Sequence, residues 1–111
     1  MRYIKCVRYT EFEWDEEKNA INIEKHGVSF RLAARVFEDE YRLERYDLSE
    51  GNDFEEDRIQ TIGCVQKVLF VVYTERNSRC RIISARKANP KERRMYYGNG
   101  DLQTEGWRRS D

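Results

Sequence analysis

Residues 58–87 read RIQTIGCV-QK-VLFVVYTER-NS-RCRIISARK, and this stretch decides the fold. At its centre, Val68 to Tyr73 is a continuous apolar run, the composition of a strand covered on both faces. Arg58 to Val65 reads as the strand before it, with Gln66-Lys67 as a two-residue connection. Asn77-Ser78 marks a second tight turn, and Arg79 to Lys87 a third strand. Strands joined by connections this short pair antiparallel. Regular alternation on the third strand sets Arg79, Arg81, Ile83, Ala85 and Lys87 on one face. It sets Ile82, Ser84 and Arg86 on the other.

A helix follows at once. Asn89-Pro90-Lys91-Glu92 offers a cap, a proline at the first helical position and a capping-box glutamate, with the helix running to about Tyr97. Before the meander, Tyr9 to Trp14 alternates as a short half-buried strand. Asp15 then caps a helix whose first turn holds Glu16 and Glu17, near the positive end of its dipole. Ala20 and Ile23 are its expected apolar stripe, and Lys25, His26 and Gly27 its close. Ser29 caps a second helix, where Phe30, Ala33, Ala34 and Phe37 share a core-facing stripe widened by Leu32 and Val36. Tyr41 to Tyr46 is a candidate strand, and Asp47 to Asp57 an acidic loop turning at Gly51-Asn52. Two helices, an antiparallel sheet and a closing helix predict an α+β domain. Its core spans about residues 9–97, and 98–111, after Gly98-Asn99-Gly100, reads as a loose tail.

The 111 residues suit one domain. Hydrophobic residues make up 39% and charged residues 38%, so a small core carries a heavily charged surface. Seven Tyr, five Phe and two Trp argue against disorder. No apolar run reaches membrane-span length, and no signal-peptide pattern opens the chain, so a cytoplasmic protein without a membrane partner is expected. Cys6, Cys64 and Cys80 are widely spaced, and His26 is the lone histidine. No zinc-like ligand spacing exists, and neither metal nor cofactor is expected. Net charge is zero but unevenly placed: residues 1–57 hold nine basic and sixteen acidic side chains, residues 58–111 twelve and five. Eight basic residues fall between Arg76 and Arg94 against a single acid, Glu92. Such a local cationic field attracts phosphate even on a neutral protein, although a solvated sheet edge and helix face read equally well from charge alone.

Two segments carry a family resemblance. The first is Trp14-Asp15-Glu16 with Lys18 and Asn22, then Lys25-His26-Gly27-Val28-Ser29-Phe30 and Val36-Phe37. The second is Tyr73-Thr74-Glu75-Arg76, Arg81-Ile82-Ile83-Ser84-Ala85-Arg86, Glu92-Arg93-Arg94 and Tyr96-Tyr97. In this order they resemble the BrnT family of type II toxin–antitoxin ribonucleases over about residues 12–97. The resemblance implies a RelE-like fold and an endoribonuclease that arrests growth by cutting RNA. It also implies a BrnA-like antitoxin with a ribbon-helix-helix part, and a complex that represses its own operon. Operator DNA would be touched only through that complex, with a homodimer or a toxin–antitoxin heterotetramer as the oligomer to expect.

Metal-free RNA cleavage needs a proton acceptor, cations for the charged phosphorane and a proton donor. Arg86, in the family's I-I-S-A-R stretch, is the first candidate for phosphate stabiliser; pairing with a carboxylate is its alternative. Arg76 and Arg81 flank the hairpin and suit bidentate phosphate contacts, or are solvating rim charges. Histidine is the side-chain type suited to proton transfer near neutrality, which singles out His26, but with Lys25 it equally suits a helix C-terminus. Glu75 and Tyr73 are further proton-transfer candidates. Glu92 suits the capping box better than catalysis. Lys25, Arg93, Arg94 and Tyr97 would extend the RNA face, the tyrosine by stacking or simply by packing. Trp14 and Phe37 read as core, and Lys18 and Asn22 as hydrogen-bonding partners of the sheet. The rival function is a non-enzymatic binding module that co-represses with its DNA-binding partner. A DNA-binding protein in its own right is disfavoured, because no helix-turn-helix pairing precedes the closing helix.

Overall fold

A computed structural model describes residues 11–47, 57–98, 102 and 105–109. Tyr9, Thr10 and most of the acidic loop lie outside them. A six-stranded sheet runs in the order β1-β5-β4-β3-β2-β6, with β1 Phe12–Glu13, β2 Leu43–Tyr46, β3 Ile59–Val65, β4 Lys67–Arg76, β5 Arg79–Lys87 and β6 Arg108–Arg109. Every pairing is antiparallel except β1 with β5, which is parallel. Helices α1 (Glu16–His26) and α2 (Phe30–Ala34), with a 3₁₀ turn at Arg35–Glu38, cover one face. Helix α3 (Pro90–Tyr96) covers part of the other. The architecture is α+β. None of the described helices is long and apolar enough to cross a membrane.

Local chemistry explains most boundaries. The Asp15 side chain accepts from the Lys18 amide to start α1, and Gly27 stops it in the left-handed region at φ 69°. Ser29 accepts from Leu32 N at the head of α2, and Asn89 and Glu92 complete the capping box of α3. Asn77 and Ser78 both adopt positive φ, 54° and 64°, so the β4–β5 turn twists with its strands.

The apolar run in β4 divides between two cores, as a strand covered on both faces must. Leu69, Val71 and Tyr73 meet Val28, Phe30, Ala33, Val36 and Phe37 beneath the helices α1 and α2. Val68 and Phe70 meet Leu43, Ile62, Met95 and Trp107 on the α3 side. Gly63 lets the 3₁₀ turn settle onto β3: a Cβ there would stand 2.9 Å from the Cβ of Val36. One polar group crosses the first core. Arg42 donates to Glu44 at 2.7 Å and to the Phe37 and Asp39 carbonyls, while the Tyr73 hydroxyl donates to the second Glu44 oxygen. Burial pushes the Glu44 carboxyl above its ordinary pKa, against the opposing pull of Arg42 and Tyr73.

Three sequence expectations are corrected. The alternation of β5 breaks: Val72 pairs with Ser84 but Tyr73 with Ile82, leaving Ile83 as a bulge. Beyond it the parity flips, so Cys80, Ile82 and Ala85 all enter the core under α1 and α2. Arg86 therefore leaves the Ile82 face and joins the face of Arg81. On α1, Ala20 and Ile23 are exposed, and the helix buries Asn22 instead. The Asn22 amide donates to the Val28 and Ala85 carbonyls at 2.8 Å each and accepts from Ala85 N at 3.2 Å. It thereby takes the place of a neighbouring strand's peptide at the β5 edge. Finally, the C-terminal stretch is not loose where it is described. Trp107 is buried edge-on to Phe70, and β6 pairs with β2. An indole buries too much apolar surface to stay in water when a sheet face is open beside it.

Candidate functional site

Strand register arranges the α3-side face into rows. The row under α3 is Leu43, Ile62, Phe70 and Arg86, cross-strand neighbours on β2, β3, β4 and β5. Two residues along each strand lies Arg45, Gln60, Val72 and Ser84. Beyond that, Thr74 faces Arg81, Arg81 faces Glu13, and Arg58 lies one residue before Ile59, opposite Thr74. This face therefore grades from apolar under α3 to a platform holding Arg45, Arg58, Arg81 and Arg86.

Arg86 is held most firmly. Its guanidinium lies 4.1 Å from the centroid of Phe70. Its two terminal nitrogens donate to the two Glu92 oxygens at 2.8 and 2.9 Å, and Nη1 also reaches the Lys87 carbonyl. Glu92 at the same time accepts from the Asn89 backbone, so one carboxylate both caps α3 and aims the arginine. Of the five guanidinium N–H groups, those on Nε and the outer side of Nη2 stay uncommitted among the described residues. Together they form a side-on fork that matches two phosphate oxygens.

The other candidates scatter around this anchor. Arg81 pairs with Glu13 at 2.9 Å in a half-buried bridge on the same face. Arg76 faces Arg79 beside the β4–β5 turn, at the far end of the hairpin. Glu75 is exposed opposite Cys80, with the parity of the face under α1 and α2. Lys25 and His26 end α1 and are exposed on the layer opposite Arg86. Arg93 and Arg94 are exposed on α3, where Arg93 donates to the Ala88 carbonyl. Tyr97 is exposed next to them, edge-on to Tyr96. The Tyr96 hydroxyl donates to Asp39, and burial together with that carboxylate raises its pKa. Burial, then the nearby Glu44 and Glu75 carboxylates, likewise raise the Cys80 thiol and keep it protonated.

The sequence reading missed Arg45 and Arg58. Arg45 stacks 4.2 Å above Trp107 and donates to Gln60 and to the Glu105 carbonyl. Both arginines lie in or beside segments dominated by acidic residues, so net charge concealed them. Counting alternate positions outward from Ile62 would have placed Gln60 and Arg58 on this face. Among the described residues no group of three His, Cys, Asp or Glu side chains is arranged to hold a metal ion.

Comparison with known proteins agrees with this architecture. Residues 14–92 match the family described as "Ribonuclease toxin, BrnT, of type II toxin-antitoxin system". The crystal structure of the Brucella abortus ribonuclease toxin BrnT superposes with a TM-score of 0.53 at 26% identity, covering 72% of this chain and 99% of that one. No curated protein sequence matches the chain. The matched residues run from Trp14, at the head of α1, to Glu92 in α3, and the chain belongs to the BrnT family of ribonuclease toxins of type II toxin–antitoxin systems.

Proposed function

We propose that this chain is itself a metal-independent endoribonuclease that arrests growth in the cytoplasm and is silenced by a BrnA-like ribbon-helix-helix antitoxin. The observation that carries this reading is Arg86, fixed by Phe70 and Glu92 with a side-on fork left for phosphate. In the reaction, a ribose 2′-oxygen attacks the adjacent phosphorus and gives up its proton. The phosphorane collapses by breaking the bond to the 5′-oxygen, which takes a proton. The products are a 2′,3′-cyclic phosphate and a 5′-hydroxyl. Arg86 would stabilise the extra phosphorane charge, a contribution of about 10²–10³-fold for a preorganised donor. Arg81 and Arg76 would hold flanking phosphates. Lys25, Arg93, Arg94 and Tyr97 would carry the strand across the neighbouring surfaces. His26 and Glu75, on the opposite side of the sheet from Arg86, do not reach a phosphate held there and take no part in its proton transfer on this reading. A platform of guanidinium groups repels divalent cations, which favours chemistry without a metal.

The antitoxin would cover the arginine platform with acidic or aromatic groups, and operator DNA would be bound only through the toxin–antitoxin complex; the oligomers of this reading are a homodimer of the chain or a heterotetramer with the antitoxin. Complementary charge of this kind speeds association and makes it sensitive to salt.

A second reading has its own observation: His26, the lone imidazole, projects from the layer opposite Arg86. On that reading the chain binds RNA or co-represses without cutting. Incubating the purified chain with RNA in the presence of a chelator separates the two. Cleavage that Arg86→Ala abolishes and His26→Ala leaves in place supports the nuclease. A shifted but intact RNA supports the binding module.

A further inference from the structure

We infer that Arg58 is a phosphate-binding residue of the RNA face, an inference that rests on the nuclease reading above. Its Nε is buried and has no hydrogen-bond partner among the described residues. No hydrogen bond or ion pair holds its guanidinium among the described residues, unlike Arg45, Arg81 and Arg86 on the same platform. A buried donor on a charged group is costly to leave bare, so proteins rarely do so without a ligand to complete it. The position is anchored rather than adventitious. The Arg58 carbonyl accepts from Asp47 N, extending the β2–β3 ladder, and next to it the Thr74 hydroxyl is tied down by the Asp57 carbonyl.

The occupant follows from the chemistry. A guanidinium with a buried Nε and no partner among the described residues calls for an anion with two or more acceptor oxygens. Arg58 and Arg81 flank Thr74 and stand two strand spacings apart, about 10 Å. A nucleic-acid backbone offers anionic oxygens at every residue, so one strand crossing β3, β4 and β5 can meet Arg58 and then Arg81. Arg58 is a binding and positioning residue here, since the reacting phosphate is assigned to Arg86.

The test uses the full chain and a 2′-O-methyl RNA oligonucleotide, which can be bound but not cut. Affinity is measured across a salt series for the wild type, Arg58→Met and Arg31→Met, the last being an exposed control on α2. Losing one phosphate contact on a single strand lowers the slope of log K against log salt by about 0.7. Affinity at fixed salt should fall by about tenfold or more. Because the methionine removes a bare buried donor, the thermal midpoint of Arg58→Met should equal or exceed that of the wild type. Arg31→Met should leave both quantities unchanged. Wild-type cleavage of natural RNA, with Arg58→Met binding the oligonucleotide at unaltered affinity and slope, overturns the inference and leaves the nuclease reading standing. A lowered thermal midpoint with an unaltered slope makes Arg58 structural and also overturns it. A wild type that neither binds nor cuts RNA removes both.

Discussion

Replacing Asn22 with alanine should destabilise the protein more than any other single substitution on α1. The side-chain amide satisfies two carbonyls and one amide, on Val28 and Ala85, on the edge of β5 that pairs with β1 at Cys80 and Arg81. Each buried group left bare costs about 1–3 kcal/mol. Asn22 is 7% exposed, so water reaches part of the gap and the low end applies. The expected loss is about 3 kcal/mol, a large share of the roughly 5–15 kcal/mol that holds a domain together. It corresponds to a drop of about 10–20 °C in thermal midpoint. Asn22→Asp gives a second, more specific signature. It keeps an oxygen for the Ala85 amide but turns the donor into an oxygen facing two carbonyls. Burial and those carbonyls hold this carboxyl's pKa above its unfolded value. Its neutral form, the better tolerated one, therefore dominates at low pH, and the deficit against wild type grows as pH rises through the folded pKa. Urea titrations at pH 4 and pH 7 read both effects. An Asn22→Ala variant within about 0.5 kcal/mol of wild type would place Asn22 among ordinary surface positions and refute the strand-mimic argument.

Three further outcomes are expected. Gly63→Ala should cost about 1–3 kcal/mol by denaturant titration, since its methyl would stand 2.9 Å from the Val36 Cβ; a variant as stable as wild type would refute the close approach. Glu44, raised above its ordinary 4.5 by burial, favours the folded state most when protonated. Its contribution is complete below 4.5 and declines as pH rises through the higher folded value, so Glu44→Gln should remove that part of the pH slope in equilibrium unfolding. Trp107→Ala should cost about 3–5 kcal/mol, because it empties a seat against Phe70 and unstacks Arg45; a loss below 1 kcal/mol by calorimetry would mean the indole adds little to that core.

Features governed by neighbouring residues were legible in the sequence. The caps at Asp15, Ser29 and Asn89, the glycine stop at Gly27 and the Asn77-Ser78 turn each depend on a few adjacent side chains, and each formed as read. The doubly covered strand was legible for a similar reason, since its composition reports both faces at once. What escaped depends on distant partners. Asn22 looks like a surface residue until Ala85, far along the chain, needs its amide. Trp107 looks like tail until Phe70 offers it a seat. Arg86 was singled out from its motif; the carboxylate that holds it, Glu92, comes from α3, which it also caps, and not from across the sheet. Arg58 escaped because its acidic surroundings masked a place that only strand register reveals.

The bulge at Ile83 has a consequence for how relatives of this chain are aligned. Upstream and downstream halves of β5 obey opposite odd–even rules, so aligning an unbulged relative without a one-residue gap at Ile83 matches inward with outward side chains throughout the second half. Deleting that codon would leave Ala85 in the core and Arg86 on the face of Arg81, in a strand that alternates regularly from end to end. A relative one residue shorter between Arg81 and Arg86 can therefore present the same phosphate fork.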